Sequence, residues 1–513
     1  MPGTFRNPIL PGFHADPSIV RAGNDYYLVT SSFEYFPGVP VYRSRDLVHW
    51  KQAGNALTRE SQLKLAGQKS SKGIFAPTIR YHDGTFYMVT TNIENGGSFY
   101  VTTKDPAAEW SDPVFVGEKG FSMDPSLFFD DDGKVYYTRH GGGRNGGVYQ
   151  AEIDLATGAL REEPKLVWSG TGGIWPEGPH LYKVNGTYYL LISEGGTSYN
   201  HSLTVARSKS PWGPFESNPA NPIVTHRDKP EQPLQAIGHG DFVQAPDGTW
   251  WIVMLGIRPW EHHHHIGRET LLAPVTWDAD GWPHVNGDKP ITKEMIVENL
   301  PRPSPFPRQP TRTEFDGPVL GPQWVHLRTA SKDRYSLTER KGNLRLKGNR
   351  ETLDDAASPA FVARRQEHFR ARIAAKLEFT PALDGEVAGL VLRQDDRDHY
   401  ELRISGTKPR SVQVVSTVRG IFELKFAEII GDGNVTLHIE AFRDGYAFGY
   451  ARDDGLVKVV ARLPAEPLSS ENAAGAFTGV FIGMYAYTTA GDTMPPADFA
   501  WFAYEPLDQP QDE

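Results

Sequence analysis

Apolar and polar residues along the first 290 positions follow a recurring pattern rather than a helical one. "DPSIVRAGNDYYLVTS" (Asp16–Ser31) has four relatives: "APTIRYHDGTFYMVTT" (Ala76–Thr91), "DPSLFFDDDGKVYYTRH" (Asp124–His140), "GPHLYKVNGTYYLLIS" (Gly178–Ser193) and "GDFVQAPDGTWWIVML" (Gly240–Leu255). Each opens on a small or acidic residue, runs through three or four strand formers, turns, and returns as an aromatic-rich strand. Asp83-Gly84, Asp132-Gly133, Asn185-Gly186 and Asp247-Gly248 supply the positive φ of a tight hairpin turn. Asn24-Asp25 is the one turn dipeptide without glycine. Openings at 16, 76, 124, 178 and 240 are spaced like the blades of a β-propeller, and five copies predict five blades over 1–298. The alternative, unrelated hairpins in one large sandwich, does not account for the aromatic pair shared after the turn.

Past Trp282 the repeat stops. A proline-rich run over 299–312 predicts an extended linker. Beyond it "EVAGLVLRQ", "NVTLHIEAF", "VKVVARL", "GVFIGMYAY" and "FAWFAYE" alternate apolar and polar residues, which predicts an antiparallel β-sandwich over 313–508 that packs on the propeller. The expected fold class is therefore all-β. A chain of 513 residues with 51 glycines, 40 prolines and 12% aromatics suits such a turn-rich architecture.

A net charge of −10 and the lack of a Lys/Arg cluster argue against nucleic acid as a partner. No apolar run is long enough to span a bilayer, so no membrane partner is expected. Zero cysteine removes disulfides, thiolate metal sites and cysteine nucleophiles together. The first residues lack a basic segment followed by an apolar one, and the expectation is a cytoplasmic protein, although a chain trimmed of its signal reads the same. Self-association is left open.

Repeat-equivalent positions at the ends of inner strands converge on the propeller axis. Asp16 and Asp124 share one such level, and Glu177 and His239 stand just ahead of the aligned openings of the fourth and fifth copies. Any single Asp-Pro-Ser is more often a strand-end cap than a catalyst. Three acids converging on one channel are better read as the equipment of glycosidic hydrolysis. Glu177 follows Ile174-Trp175-Pro176, apolar company that favours its neutral form, and is cast as the general acid. Asp16 is cast as the general base and Asp124 as the modulator of the acid's pKa. Phe33, Phe36, Phe75 and Trp175 are candidates for stacking on sugar faces.

"NPILPGFHADPSIVR", "SSFEYFPGVPVYRSRDLVHW", "FSMDPSLFFDDDGKVYY", "WPEGPHLYKVNGTYYLLISEGGTSYNHS" and "IGRETLLAPVTWDADGWP" resemble glycoside hydrolase family 43, the β-xylosidase and α-L-arabinofuranosidase group, from about Asn7 to the tail. The resemblance implies a five-bladed propeller, a concanavalin-like second domain and single-displacement inversion. It also places base, modulator and acid on Asp16, Asp124 and Glu177. By the same resemblance Arg268 contacts sugar hydroxyls, Phe33 is a subsite aromatic, and Phe481 is lent to the pocket by the sandwich. Phe75 departs from the tryptophan of close β-xylosidase relatives, which bears on the shape of the pocket.

No cofactor is expected for the chemistry. The resemblance puts His239 near a calcium ion or a water cluster on the propeller axis, and the other reading is a core histidine bonded to the pocket acids. The run His262–His265 cannot turn four side chains to one ion on a strand and is read as a pocket-edge loop. "HGGGRNGG" (His140–Gly147) lacks the setting of a phosphate loop and is read as a flexible connection. The expected activity is an exo-hydrolase that releases pentoses from xylo-oligosaccharides or arabinoxylo-oligosaccharides. The rivals are a non-catalytic carbohydrate-binding protein on a hydrolase scaffold, a histidine-based metallohydrolase and a protein-interaction platform.

Overall fold

The computed structural model describes residues 3–118, 120–330, 333–406, 409–452, 455–473 and 475–507. Five separate antiparallel sheets stand in a ring, each with its first strand innermost: Ser18–Ala22, Thr78–His82, Ser122–Phe129, Glu177–Val184 and Gln235–Gln244. The ring is closed by the chain's own start. Gly3–Arg6 pairs with Glu294–Val297, and the Asn7 side chain donates to the carbonyls of Leu272 and Thr292.

The hairpin turns follow their local chemistry. Asp83-Gly84 and Asn185-Gly186 both have positive φ, as two-residue turns of this hand require. In the first copy the turn is Gly23-Asn24, between paired Ala22 and Asp25, one place earlier than the expected Asn24-Asp25, and it does carry a glycine.

Strand register shows which positions are equivalent. Ser18 faces Val29, Thr78 faces Val89, Ser126 faces Thr138, His180 faces Leu191 and Asp241 faces Val253. These five residues ring the channel at one level. Two residues earlier in each strand lie Asp16, Ala76, Asp124, Gly178 and His239. Four of these five adopt left-handed φ: Asp16 at 56°, Asp124 at 54°, Gly178 at 58° and His239 at 46°. His239 therefore opens the fifth copy, one place before the Gly240 chosen from sequence. It shares the level of Asp16 and Asp124, and Glu177 stands one residue outside it.

Residues 313 onward form two sheets face to face. The six-stranded sheet runs from Ala360–Arg365 at one edge through Phe481–Thr488, Glu386–Arg393, His399–Ser405 and Ser411–Val418 to Ile421–Ile429 at the other. The eight-stranded sheet centres on Ala371–Glu378 and Ala497–Pro506 and ends at Lys458–Pro464. Leu390, Leu402, Val414, Ile439, Phe448 and Phe499 fill the space between them.

The sandwich is fused to the propeller rather than tethered to it. Tyr35–Phe36 of the first blade pairs with His326–Leu327. Phe13, Phe33 and Tyr35 share an apolar cluster with Leu327, Phe361, Val391 and Phe481. Beside that cluster lies a buried ionic group. Arg393 donates to Glu34, Ser70 and Asp396, and Arg328 also pairs with Asp396. Breaking a buried pair by removing one partner typically costs about 3–5 kcal/mol, so the two domains are held in one relative position.

Candidate active site

A cavity of about 520 Å³ opens over the upper channel level and is lined by Asp16, Asp124 and Glu177 together with Phe33, Phe75, Trp175, His239, Arg268 and Phe477. This volume falls in the range of small-ligand sites.

The three acids have different surroundings. Asp16 is buried, which alone would raise its pKa. The Arg268 guanidinium (2.9 and 3.3 Å), the His239 imidazole (3.6 Å) and the Ser31 hydroxyl (2.6 Å) outweigh burial and hold it below the usual carboxylate range. It stays ionised at neutral pH. Asp124 accepts one backbone bond, from the Gly178 N–H at 3.2 Å, and burial together with the Asp16 charge pushes it up to about 6. Glu177 lies well above the ordinary glutamate range, first through burial and then through repulsion from Asp124 and Asp16. A carboxylate kept charged and a carboxyl kept protonated thus face one cavity, with the third acid raising the second.

The left-handed backbone at Asp16 and Asp124 is a strained conformation for non-glycine residues, and strain of this kind is found where a side chain must be aimed. Gly178 supplies the same conformation and also the room. A Cβ there would come within 3.0 Å of the His239 ring.

Arg268 is positioned from both domains. Its guanidinium grips Asp16, reaches Thr197 at 3.4 Å, and donates to the Phe477 carbonyl at 3.2 and 3.3 Å. It also sits 5.7 Å from the Phe33 ring and 5.5 Å from the Phe477 ring. Phe477 is fixed in turn, since its N–H donates to the Ser71 hydroxyl at 2.8 Å while the Ser71 N–H donates to Glu34 at 3.0 Å. The interdomain ionic group is thereby connected to the arginine that holds Asp16.

Phe33, Phe75 and Phe477 form one aromatic wall with ring centroids 5.3 to 6.0 Å apart. Trp175 lies across the cavity with its ring against His140. Two aromatics expected in the pocket lie elsewhere. Phe481 is wholly buried, stacked on Tyr35 at 3.7 Å, because it sits on the face of its strand that packs against the propeller, opposite Ile482 and Met484 in the sandwich core. The sandwich's contribution to the cavity is Phe477, from the loop four residues earlier. Phe36 is held between the first and second blades with Ile79 and Phe86 and does not line the cavity.

Other residues in the site escaped the sequence reading. His201 lies 3.9 Å from Glu177, and burial pushes it down to about 3, so it is a neutral neighbour. Glu194 gathers the N–H groups of Thr171 and Gly173 and the hydroxyls of Thr171 and Thr204, holding the loop that leads to Trp175. The glycine-rich stretch after His140 also has a fixed task. His140 bonds the Pro176 carbonyl at 2.8 Å and the Arg144 carbonyl accepts from the Trp175 N–H at 2.7 Å, bracing the segment that presents Glu177. Nothing but the proximity of "HGGGRNGG" to one end of a repeat could have signalled this.

His239 turns its imidazole to a pocket acid, with Nδ1 3.6 Å from an Asp16 oxygen. Its neighbours are a carboxylate already claimed by Arg268 and, one level deeper, a channel holding the Arg80 guanidinium. Among the described residues no group of three or more His, Asp or Glu side chains is placed to hold a metal ion. The run His262–His265 is a domain seam and no pocket edge. His264 pairs with Glu471 at 2.7 Å, His263 approaches Glu466, and His265 is buried against Phe369 and Tyr446.

An ionised carboxylate and a protonated carboxyl sharing an aromatic-walled cavity define a glycoside hydrolase, whose chemistry needs no cofactor. The sequence pattern of glycosyl hydrolases family 43 matches residues 5–283, and that of the β-xylosidase C-terminal concanavalin A-like domain matches 312–505. The chain belongs to glycosyl hydrolase family 43. It is 46% identical to a non-reducing-end α-L-arabinofuranosidase of Bacteroides ovatus, over 98% of this chain and 95% of that one. It is 41% identical to a xylosidase/arabinosidase of Butyrivibrio fibrisolvens, over 97% and 99%. The crystal structure of a xylan β-1,4-xylosidase from Bacillus halodurans superposes with a TM-score of 0.92 at 37% identity, covering 98% of this chain and all of that one.

Proposed function

We propose that this enzyme removes single pentose units from the ends of xylan-derived oligosaccharides, as a β-1,4-xylosidase, an α-L-arabinofuranosidase or both. The observation that carries the reading is the contrast between Asp16, held ionised by Arg268, and Glu177, held protonated by burial and by its acidic neighbours. The names of the relatives, which include both activities, support the pentose class.

In this mechanism Asp16 takes a proton from a water molecule, which attacks the anomeric carbon as the glycosidic bond breaks. Glu177 gives its proton to the departing oxygen. Asp124 keeps Glu177 protonated until the bond breaks. Arg268 holds Asp16 and meets sugar hydroxyls, while Phe33, Phe75 and Phe477 cover the sugar face. A single displacement inverts the anomeric centre.

Proton NMR during hydrolysis of xylobiose and of an arabinose-decorated xylo-oligosaccharide tests this reading. Fresh α-xylose from xylobiose identifies an inverting β-xylosidase. Arabinose from the second substrate, with xylobiose untouched, identifies an arabinofuranosidase. Release from neither overturns the assignment in favour of a carbohydrate-binding protein.

A further inference from the structure

The active-site cavity holds one cation more than its acids use. Besides His239, two basic side chains line it, Arg268 and Lys72. Arg268 is committed to Asp16 and to the Phe477 carbonyl. The Lys72 side chain has no hydrogen-bond or ion-pair partner among the described residues. The charges that act chiefly on the three acids are those of Arg268, His239 and one another, and Lys72 is not among them.

The backbone that carries Lys72 is nevertheless fixed. On one side, the Ser71 N–H donates to Glu34 and the Ser71 hydroxyl accepts from the Phe477 N–H. On the other, Gly73 has φ 90° and lies so close to the first blade that a Cβ would fall 2.4 Å from the Phe33 carbonyl oxygen. Ile74 then exchanges both backbone hydrogen bonds with Phe33. Lys72 thus rises from the segment that carries Phe75 and steadies Phe477. It is half-buried, more exposed than Asp16 and Phe33 at the cavity floor and less than Thr197 and Ser198, so it stands part-way to the mouth.

An ammonium held among Phe75, Ile93 and Phe477 has given up part of its hydration, and a carboxylate restores more of that loss than a neutral hydroxyl does. As a compact charge with three donors, it suits a single acidic group. The chain as a whole is acidic, at −10, so an anionic ligand has to be held by a local cation rather than steered from afar. Inside the cavity the opposing charge is small, since Asp16 is matched by Arg268 and Glu177 keeps its proton. A terminal pentose carries only hydroxyls, so the acid has to belong to the part of the oligosaccharide that leaves. We propose that Lys72 selects oligosaccharides that carry a uronic acid branch on the sugar next to the one released. This rests on the pentose-releasing activity proposed above and narrows its substrate.

The test compares two compounds that differ only in charge: xylotriose with glucuronic acid on its middle unit, and the same compound with that carboxyl reduced to the alcohol. Native enzyme is expected to show a kcat/KM about tenfold higher on the acid, as a charge-assisted hydrogen bond provides. Molar salt is expected to shrink the preference. Lys72→Met is expected to bring the ratio close to one, and Lys72→Arg to keep most of it. Equal rates on the two compounds overturn the proposal, as does a preference that survives Lys72→Met. Calorimetry with Glu177→Gln, which slows turnover while leaving the cavity open, reads the same preference as binding. Tighter binding of the acid that Lys72→Met abolishes upholds the role of Lys72 even if plain xylotriose is not cleaved, a result that would sink the pentose-releasing reading alone. Equal binding of the two compounds overturns the proposal whatever the rates.

Discussion

Two neighbouring levels of the same channel are built from the same repeat and do opposite things. The lower level holds Asp241 as securely as a buried carboxylate can be held. It accepts from Ser18 at 2.6 Å, Arg80 at 2.8 Å, Tyr182 at 2.5 Å and the Ile19 N–H at 3.0 Å. Burial opposes its charge, yet Arg80, His180 and these hydrogen bonds lower its pKa to about 2. Arg80, from the second blade, reaches Ser18 of the first, His180 of the fourth and Asp241 of the fifth. It is the clasp of the ring. At the upper level and just outside it, three acids share essentially one guanidinium, and only Asp16 receives it. The repeat brings ionisable groups together at both levels, and the number of cations available decides whether the result is structural or reactive.

Removing the reactive groups is expected to have the largest effect. Asp16→Ala and Glu177→Ala should each lower kcat by about 10²–10⁴-fold while circular dichroism and melting stay near native. Glu177→Ala should lose much less on an aryl glycoside whose leaving group needs no proton, and equal losses on both substrates would contradict its role as acid. At the lower level, Arg80→Met leaves Asp241 buried without its cation and is expected to cost about 3–5 kcal/mol in urea unfolding. Turnover per folded molecule should change little. A large loss of kcat with native stability would mean that the two levels are not separate in purpose.

The pH profile sharpens the contrast. In the proposed mechanism Glu177 acts only while protonated, so activity is expected to fall as pH rises through its elevated pKa. Asp16, the proposed base, acts only while ionised and is expected to set the acid limb. Asp124 acquires its charge near pH 6, and that charge helps to keep the proton on Glu177. Asp124→Asn is therefore expected to move the alkaline limb of kcat to lower pH, and an unmoved limb would remove Asp124 from this role. The limbs report the coupled acids as a set. Ser71→Ala, which frees the Phe477 N–H and loosens the carbonyl that steadies Arg268, should cost about 1 kcal/mol, a several-fold fall in kcat/KM.

Much of this was legible along the chain because it is local. Hairpin turns depend on a few dihedrals, so Asp-Gly and Asn-Gly announce them. The repeat places Asp16 and Asp124 on equivalent strand ends, and the apolar residues before Glu177 point to a neutral acid. The fifth copy was misplaced by one residue because His239 resembles neither aspartate, and only its pairing partners reveal its level.

Phe477 and Phe481 mark where local reading ends. Both belong to "FTGVFIG", and which ring lines the cavity depends on how the sandwich crosses the propeller at Gly479, where a Cβ would fall 2.4 Å from the Ile266 backbone. The histidine run was misread for the same reason, since its partners Glu466 and Glu471 lie some two hundred residues away. The sequence by itself determined the strands, the turns and the acids at the channel mouth, because these follow from neighbours along the chain. Tertiary structure alone decided which acid receives Arg268, because that cation comes from the far end of the propeller and is steadied by a carbonyl of the other domain.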